Sequence, residues 1–190
     1  MPTSKLILIR HAKTAWNQSN RLHGQLDCPI LSSEYIVLDH LATDLLSRYG
    51  RPDLVITSDL GRAVSSANRM ASLCDAVSLT NPLLRERFLG QLQGVELVTA
   101  KRLRYANRFE KPLQGEFGEE VESDYAQRIY TFLKQLCSDK QSQTVWVVTH
   151  GEWIRAAMNI LSGRPSWHQG IGVIDNSTYV EIDVCSETFS

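Results

Sequence analysis

The stretch LILIRH (Leu6–His11) decides how the rest of the chain is read. Four consecutive apolar residues, Leu6–Ile9, run into a fixed cation and a titratable imidazole. An apolar run this short, stopped by charge, predicts a strand buried on both faces, with Arg10 and His11 at its carboxyl end. The apolar core of a signal peptide needs about 7–15 residues and a membrane span about 20, so neither is expected and a cytoplasmic protein with no membrane partner is.

Working outward, short apolar runs alternate with segments of helical spacing. Ser32 or Ser33 is placed to cap a helix carrying Tyr35, Leu38, Leu41, Ala42 and Leu45, which Gly50, Arg51 and Pro52 stop. Leu54–Thr57 reads as a second strand, and Leu60, Ala63, Val64, Ala67 and Ala71 as a second amphipathic helix. A third short strand is expected over Ala76–Leu79. Tyr125, Ile129, Phe132, Leu133 and Leu136 mark another helix. Val145–Thr149 is the most β-like run, and Ile154, Ala157, Met158 and Leu161 form a helix face closed by Gly163 and Pro165. Ser177–Ile182 alternates as a final edge strand. Strands alternating with helices predict an α/β fold with a mainly parallel sheet.

Composition bounds the function. The chain has 190 residues, 43% of them hydrophobic and 22% charged, with a formal net charge of −1. This is ordinary globular composition, and residues 1–190 are expected to form a single domain. A balance so near zero lacks the basic footprint of a nucleic-acid binder. Cys28, Cys74, Cys137 and Cys185 are too widely spaced for a C-x-x-C motif and fit free thiols in a reducing compartment. Oligomeric state is not legible in the sequence. Between about 94 and 120 the pattern becomes irregular. A basic run (Lys101, Arg102, Arg104, Arg108, Lys111) precedes an acidic one (Glu116, Glu119, Glu120, Glu122, Asp124). This stretch is expected to be an insertion or lid, its basic run either a solvated helix face or an attractor of anions.

Ligands of open α/β sheets bind beyond the carboxyl ends of the strands. There the sequence places Arg10 and His11 after the first strand and Arg62 in the helix after the second. His150 and Gly151 follow Val145–Thr149. Two arginines and two histidines gathered on one face call for an anion, and the guanidinium fork matches phosphoryl oxygens. The helix starting near Gly151 adds backbone N–H groups. Glycine-rich nucleotide loops of the P-loop or dinucleotide-binding type are absent. A neutral imidazole can attack phosphorus and carry the phosphoryl group covalently, while a protonated second histidine would stabilise its oxygens. The leaving alkoxide needs an acid, and Glu86, between Arg85 and Arg87 and just past Leu83 and Leu84, is the candidate.

These residues resemble a known family. LILIRHAKTAWN (Leu6–Asn17) is similar to the R-H-G-x-T-x-x-N opening of the histidine phosphatase superfamily, the phosphoglycerate-mutase-like fold. SDLGRA (Ser58–Ala63), LRERFLGQLQG (Leu84–Gly94), VVTHG (Val147–Gly151) and DNST (Asp175–Thr178) follow in the family's order, so the resemblance covers nearly the whole chain. It implies a three-layer α/β/α sandwich and a phosphatase that hydrolyses a phosphate monoester through a phosphohistidine on His11. Arg10, Arg62 and His150 would grip the phosphoryl group, with Glu86 as proton donor and then as the base for water. Asn17 would contact the phosphate and Gly24 would lie close to it. No metal or organic cofactor is implied. The expected partner is a small phosphorylated substrate, with a phosphoprotein still open.

Three positions depart from the family's pattern. Ala12 stands where glycine is common and is strained only if φ is positive. Lys13 replaces a frequent glutamate. His23 stands where glutamine is usual before Gly24, which bears on substrate fit at the pocket it would line. The alternatives are a cofactor-dependent phosphoglycerate-type mutase, which the local Gln91-Leu92-Gln93-Gly94 resembles, and a non-catalytic phospho-ligand-binding domain. The family's mutases are longer and carry a C-terminal tail over the site. Only about eight residues follow the expected last strand here, which favours hydrolysis.

Overall fold

A computed structural model describes residues 3–102, 105–137 and 143–185 of the chain. Its centre is a five-stranded sheet. The strands are β1 (Thr3–Arg10), β2 (Leu54–Thr57), β3 (Ser78–Thr80), β4 (Thr144–Thr149) and β5 (Tyr179–Cys185), in the spatial order β3-β2-β4-β1-β5. β1, β2, β3 and β4 pair in parallel, and β5 is antiparallel to β1 at the edge. The mainly parallel sheet and the edge position of the last strand agree with the sequence reading.

The alternation of side chains along the central strands builds the layers. Leu6 and Leu8 of β1 and Val145 and Val147 of β4 pack with Tyr125, Ile129, Phe132, Trp153 and Ile154. These come from α5 (Glu122–Cys137) and α6 (Gly151–Leu161). Ile7 and Ile9, with Trp146 and Val148, face the other way, against Leu38, Leu45, Ala63, Ala67 and Met70. Those belong to α2 (Glu34–Tyr49) and α3 (Gly61–Leu73). The molecule is therefore a three-layer α/β/α sandwich with a core on each face of the sheet.

Several boundaries differ from the sequence reading for identifiable reasons. β5 starts at Tyr179 because Ser177 has φ 55°, outside the extended region. β3 begins two residues later than expected, at Ser78, on the sheet edge beside β2. Ser33 precedes α2 but makes no side-chain cap bond. At α3 the cap comes from far away in sequence. Gly61 N–H donates to Asp27 Oδ2 (2.7 Å) and Arg62 N–H to Asp27 Oδ1 (3.2 Å). Cys28, Cys74 and Cys137 are buried thiols outside any disulfide, while the side chain of Cys185 lies outside the described residues. Among the described residues no helix is long and apolar enough to cross a membrane.

The irregular middle has a small apolar core of its own. Leu89, Leu92, Ala100 and Tyr105 are buried together, with Leu22, Val95, Leu97, Leu113 and Phe117 packed against them. A short α1 (Ala15–Gln18) leads into the loop that carries Leu22, and α4 (Leu97–Arg102) lies within the excursion itself. The expected basic run divides. Lys101 and Arg102 are exposed, Arg108 turns inward, and Arg104 lies outside the described residues. The acidic run is largely structural. Glu119 accepts the backbone N–H groups of Gly115 and Phe117, Glu120 pairs with Arg128 and Glu122 with Arg87.

Gly90 anchors the excursion, with φ 51° and backbone so close that an added Cβ would lie 2.2 Å from the Phe117 carbonyl oxygen. Gly90→Ala is expected to cost about 1–3 kcal/mol in this segment. Limited trypsin digestion should then cut first within residues 89–120 while the sheet's amide-exchange protection is kept. Unchanged digestion would show that the contact between Gly90 and residues 117–118 does not anchor the segment.

Candidate active site

The sequence-predicted residues converge at the carboxyl ends of β1, β2 and β4. A cleft of about 410 Å³ is lined by Arg10, His11, Asn17, His23, Gly24, Arg62, Glu86 and Gly151, among others. His150 does not line it. The His150 side chain is fully buried, with its ring centroid 5.2 Å from that of His11.

His11 has a defined tautomer. Its Nδ1 lies 2.7 Å from the Ala12 carbonyl oxygen, which can only accept, so Nδ1 carries the proton. Nε2 is then the free lone pair, and Arg62 Nε donates to it at 3.3 Å. Burial, then the neighbouring cations Arg62 and Arg10, hold His11 well below the usual imidazole range, so the ring is neutral at physiological pH. Ala12 is absent from the positive-φ positions and is fully buried in the core beneath α3, so the departure from glycine adds no strain. Its N–H donates to Ser66 Oγ (3.0 Å).

The arginines are held by carbonyls. Arg62, 1% exposed, donates through Nη1 to Leu26 O (2.9 Å) and through Nη2 to Gly24 O (2.8 Å). Gly24 has φ 54°, and an added Cβ would lie 2.4 Å from Gln93 Oε1, which accepts the Gln25 N–H. Gly24 thus turns its carbonyl to Arg62 while also lining the cleft. Arg10 donates through Nη1 to Ile174 O (2.6 Å), and its buried Nε has no partner. Gly151 makes room for Val173 and for this guanidinium: an added Cβ would lie 2.5 Å from Val173 Cγ1 and 3.2 Å from Arg10 Nε and Cζ.

His150 Nε2 lies 2.9 Å from Ser58 Oγ, while Nδ1 is buried without a partner. Burial, Arg62 and His11 lower its pKa well below the ordinary value. These surroundings favour the neutral ring, so protonation of His150 needs the compensating charge of an anion. Near the cleft, Arg10 Nε and His150 Nδ1 are buried without a hydrogen-bond partner.

Glu86 sits on the cleft wall in a designed-looking net of contacts. Oε1 accepts from Arg87 N (3.0 Å) and Tyr125 OH (3.2 Å), and Oε2 from Glu152 N (3.3 Å). Arg128 holds the backbone behind it through Leu83 O, Arg85 O and Glu86 O. Burial and the Glu152 carboxylate raise the Glu86 pKa. The rival reading of Glu86 as a solvated charge between two arginines fails, because Arg85 pairs with Asp59 and Arg87 with Glu122.

Asn17 and His23 are secured locally. Thr14 and Asn17 form a reciprocal capping box at α1, and Asn17 Oδ1 also receives Asn176 Nδ2 (3.4 Å). His23 Nε2 lies 2.7 Å from Thr14 Oγ1, and its pKa is lowered to about 3, chiefly by burial and then by Arg62. Lys13 is exposed at the mouth. Sequence reasoning missed Ser58, Thr14, Asn176 and Glu152. Ser58, Thr14 and Asn176 lie inside the quoted blocks and were within reach. Arg108 was named only as one of the basic run, and Glu152 carries no local signal.

Comparison with known proteins agrees with the geometry. Residues 6–190 match the model of the histidine phosphatase superfamily (branch 1). The chain is 29% identical over 185 residues to the phosphoglycerate mutase-like protein 4 of Arabidopsis thaliana, covering 93% of this chain and 78% of the relative. It is 31% identical over 160 residues to a metal-independent phosphoserine phosphatase of the same plant, covering 80% of this chain and 66% of that one. A mycobacterial glucosyl-3-phosphoglycerate phosphatase solved with VO3 superposes with a TM-score of 0.83 at 26% identity, over 94% of this chain and 92% of the other.

The buried neutral histidines are open to a direct check. Imidazole NMR of the free protein should show His11 and His150 neutral at pH 6, with protonation only well below the ordinary value near 6.5. Inorganic phosphate should move the His150 titration upward. Ordinary titration of both rings, unmoved by phosphate, would contradict the electrostatics of the site.

Proposed function

This chain belongs to the histidine phosphatase superfamily, and from that premise we propose that it is a phosphatase hydrolysing a small phosphate monoester through a phosphohistidine on His11. The observation that carries the reading is the His11 ring. It is neutral, its proton is fixed on Nδ1 by the Ala12 carbonyl, and its unprotonated Nε2 is met by a long, 3.3 Å hydrogen bond from Arg62 Nε.

In this mechanism the Nε2 lone pair attacks phosphorus as the ester oxygen leaves. Arg10, Arg62 and His150 stabilise the charge on the equatorial oxygens. Glu86, whose acid form is favoured by burial and by Glu152, gives its proton to the leaving alkoxide. The resulting carboxylate takes a proton from water, which attacks the phosphohistidine and regenerates the imidazole. Gly24 and Gly151 act by letting Arg62 and Arg10 reach their places. Residues 1–190 act as one domain, with the excursion from about 94 to 120 as the lid over the cleft. A soluble, cytoplasmic protein needing no cofactor fits this scheme.

The mutase reading uses the same first half-reaction and returns the phosphoryl group to a second hydroxyl. The phosphatase-named relatives at 31% and 26% identity support hydrolysis. Free phosphate released from a monoester without a bisphosphorylated primer separates the two; a strict requirement for the primer would establish the mutase.

His11→Ala is expected to lower phosphate release at least about 10³-fold and to abolish the acid-labile, base-stable phosphoprotein seen on mixing with substrate. Activity within tenfold of the parent would rule out the covalent route. Glu86→Gln should slow alkyl phosphates far more than aryl phosphates, whose leaving groups need little protonation. The sign of the pH dependence follows. The acid form of Glu86 survives to higher pH than that of an ordinary glutamate and is lost as pH rises through its raised pKa. So kcat/KM for an alkyl ester falls with rising pH, and that for an aryl ester does not. Parallel profiles for the two ester types would remove Glu86 from the acid role.

A further inference from the structure

The arginines around the cleft fall into two kinds. Arg10 and Arg62 are held at short range by backbone carbonyls, which satisfy N–H groups without cancelling charge. The outer arginines are each tied to a carboxylate: Arg21 to Glu96 (2.9 Å), Arg87 to Glu122 (2.7 Å) and Arg108 to Glu152 (2.9 Å). Of these carboxylates, Glu152 itself lines the cleft.

Glu152 is firmly held. It is the second residue of α6, its side chain is 15% exposed, and Arg155 donates to its other oxygen at 3.1 Å. Arg108 is fixed in turn, with its guanidinium 4.5 Å from the Tyr105 ring centroid and 4.0 Å from that of Phe109. Asp175 adds another carboxylate to the rim, and Leu22, Leu89 and Leu97 supply apolar wall. Lys13, the remaining cation described there, is exposed at the mouth, where an ammonium is strongly hydrated and contributes little to a pair.

We propose that the leaving alcohol carries no second anionic group and that Glu152 is the specificity-determining residue that excludes one. This rests on the phosphatase reading above and names its substrate class: phosphate monoesters of neutral, hydroxyl-bearing alcohols. With Arg10 and Arg62 engaged by the phosphoryl group, a substrate carboxylate in the cleft meets Glu152 and finds no inner cation free among the described residues. To gain one it must part Arg108 from Glu152, leaving the latter largely out of water with Arg155 as its remaining ion-pair partner. A hydroxyl meets no such obstacle and can donate to either carboxylate.

The test compares sn-glycerol 3-phosphate with 3-phosphoglycerate. The two share the phosphoryl group and the primary alkoxide leaving group and differ by a CH2OH against a carboxylate. The parent protein should favour glycerol 3-phosphate by at least about tenfold in kcat/KM, roughly 1.4 kcal/mol. Glu152→Gln keeps the size and frees Arg108, so the ratio should shift at least about fivefold toward 3-phosphoglycerate. Any effect of the substitution on Glu86 falls on both esters and cancels in the ratio. The same ratio read as inhibition constants against p-nitrophenyl phosphate covers slow turnover. Equal or better use of 3-phosphoglycerate by the parent, or a ratio unmoved by Glu152→Gln, overturns the proposal. If p-nitrophenyl phosphate is not hydrolysed at all, it is the phosphatase reading that fails, and the proposal falls with it.

Discussion

The site depends on taking Arg62 fully and Arg10 partly out of water without a short carboxylate contact on either. A guanidinium removed from water needs its N–H groups satisfied, and a carboxylate would do this while cancelling the charge. Arg62 instead turns to Leu26 O and Gly24 O, and Arg10 to Ile174 O. Asp27, the nearest carboxylate to Arg62, stands 3.7 Å from Nη1 and is half exposed, with both of its oxygens already receiving the backbone N–H groups that open α3. Burial lowers the Arg62 pKa only to about 10, so the cation persists at neutral pH. The result is a pair of fixed positive charges whose electrostatic partner is left to come from outside.

Carbonyls can be aimed at those arginines only if distant loops are brought in and held. The loop around residue 24 needs a left-handed glycine and the Gln93 side chain behind it. Ile174 lies in the loop before β5, where Ser177 N–H returns to the Arg10 carbonyl and Asn176 Nδ2 donates to His11 O. The loop carrying Glu86 is pinned from several sides. Thr149 Oγ1 donates to Leu84 O (2.8 Å), Trp153 Nε1 to Leu83 O (2.9 Å), and Arg128 to the carbonyls that follow. The parallel sheet supplies the strand ends. The loops determine which way the charges point.

That division also explains what the sequence disclosed. Strand ends and apolar periodicity are local signals, so Arg10, His11, Arg62, His150 and Gly151 were placed from the residues themselves, and the two-sided burial of β1 followed from Leu6–Ile9. Glu86 was legible from its neighbours Arg85 and Arg87, although those arginines are committed to Asp59 and Glu122 rather than to Glu86. The Arg108–Glu152 pair was not legible, because it joins residues 44 apart across the excursion and α6. The position of His150 behind His11, rather than on the cleft wall, is likewise a matter of depth that strand order does not encode. The start of β5 was misplaced because a positive φ at Ser177 interrupts a run that alternates well.

One physical cause prepares both proposed catalysts. Removing an ionisable group from water penalises its charged form, whichever sign that form has. Applied to His11, burial keeps the imidazole neutral, and Arg62 and Arg10 press it further in the same direction. Applied to Glu86, burial shifts the carboxyl toward its protonated form, and the Glu152 carboxylate adds to it. Glu152 escapes the same fate because Arg108 and Arg155 outweigh its burial and hold it below the ordinary carboxylate range. A nucleophile must be neutral and an acid must carry its proton, and a shared wall satisfies both demands without opposite environments. The cations that suppress charge on His11 also favour charge on Glu86, and the contacts of Glu86 with the Arg87 and Glu152 N–H groups act the same way. Burial and Glu152 must therefore exceed them. This places Glu152 at the junction of two functions: it props up the proton on Glu86 through its charge, and it occupies Arg108, which a second substrate anion would otherwise claim.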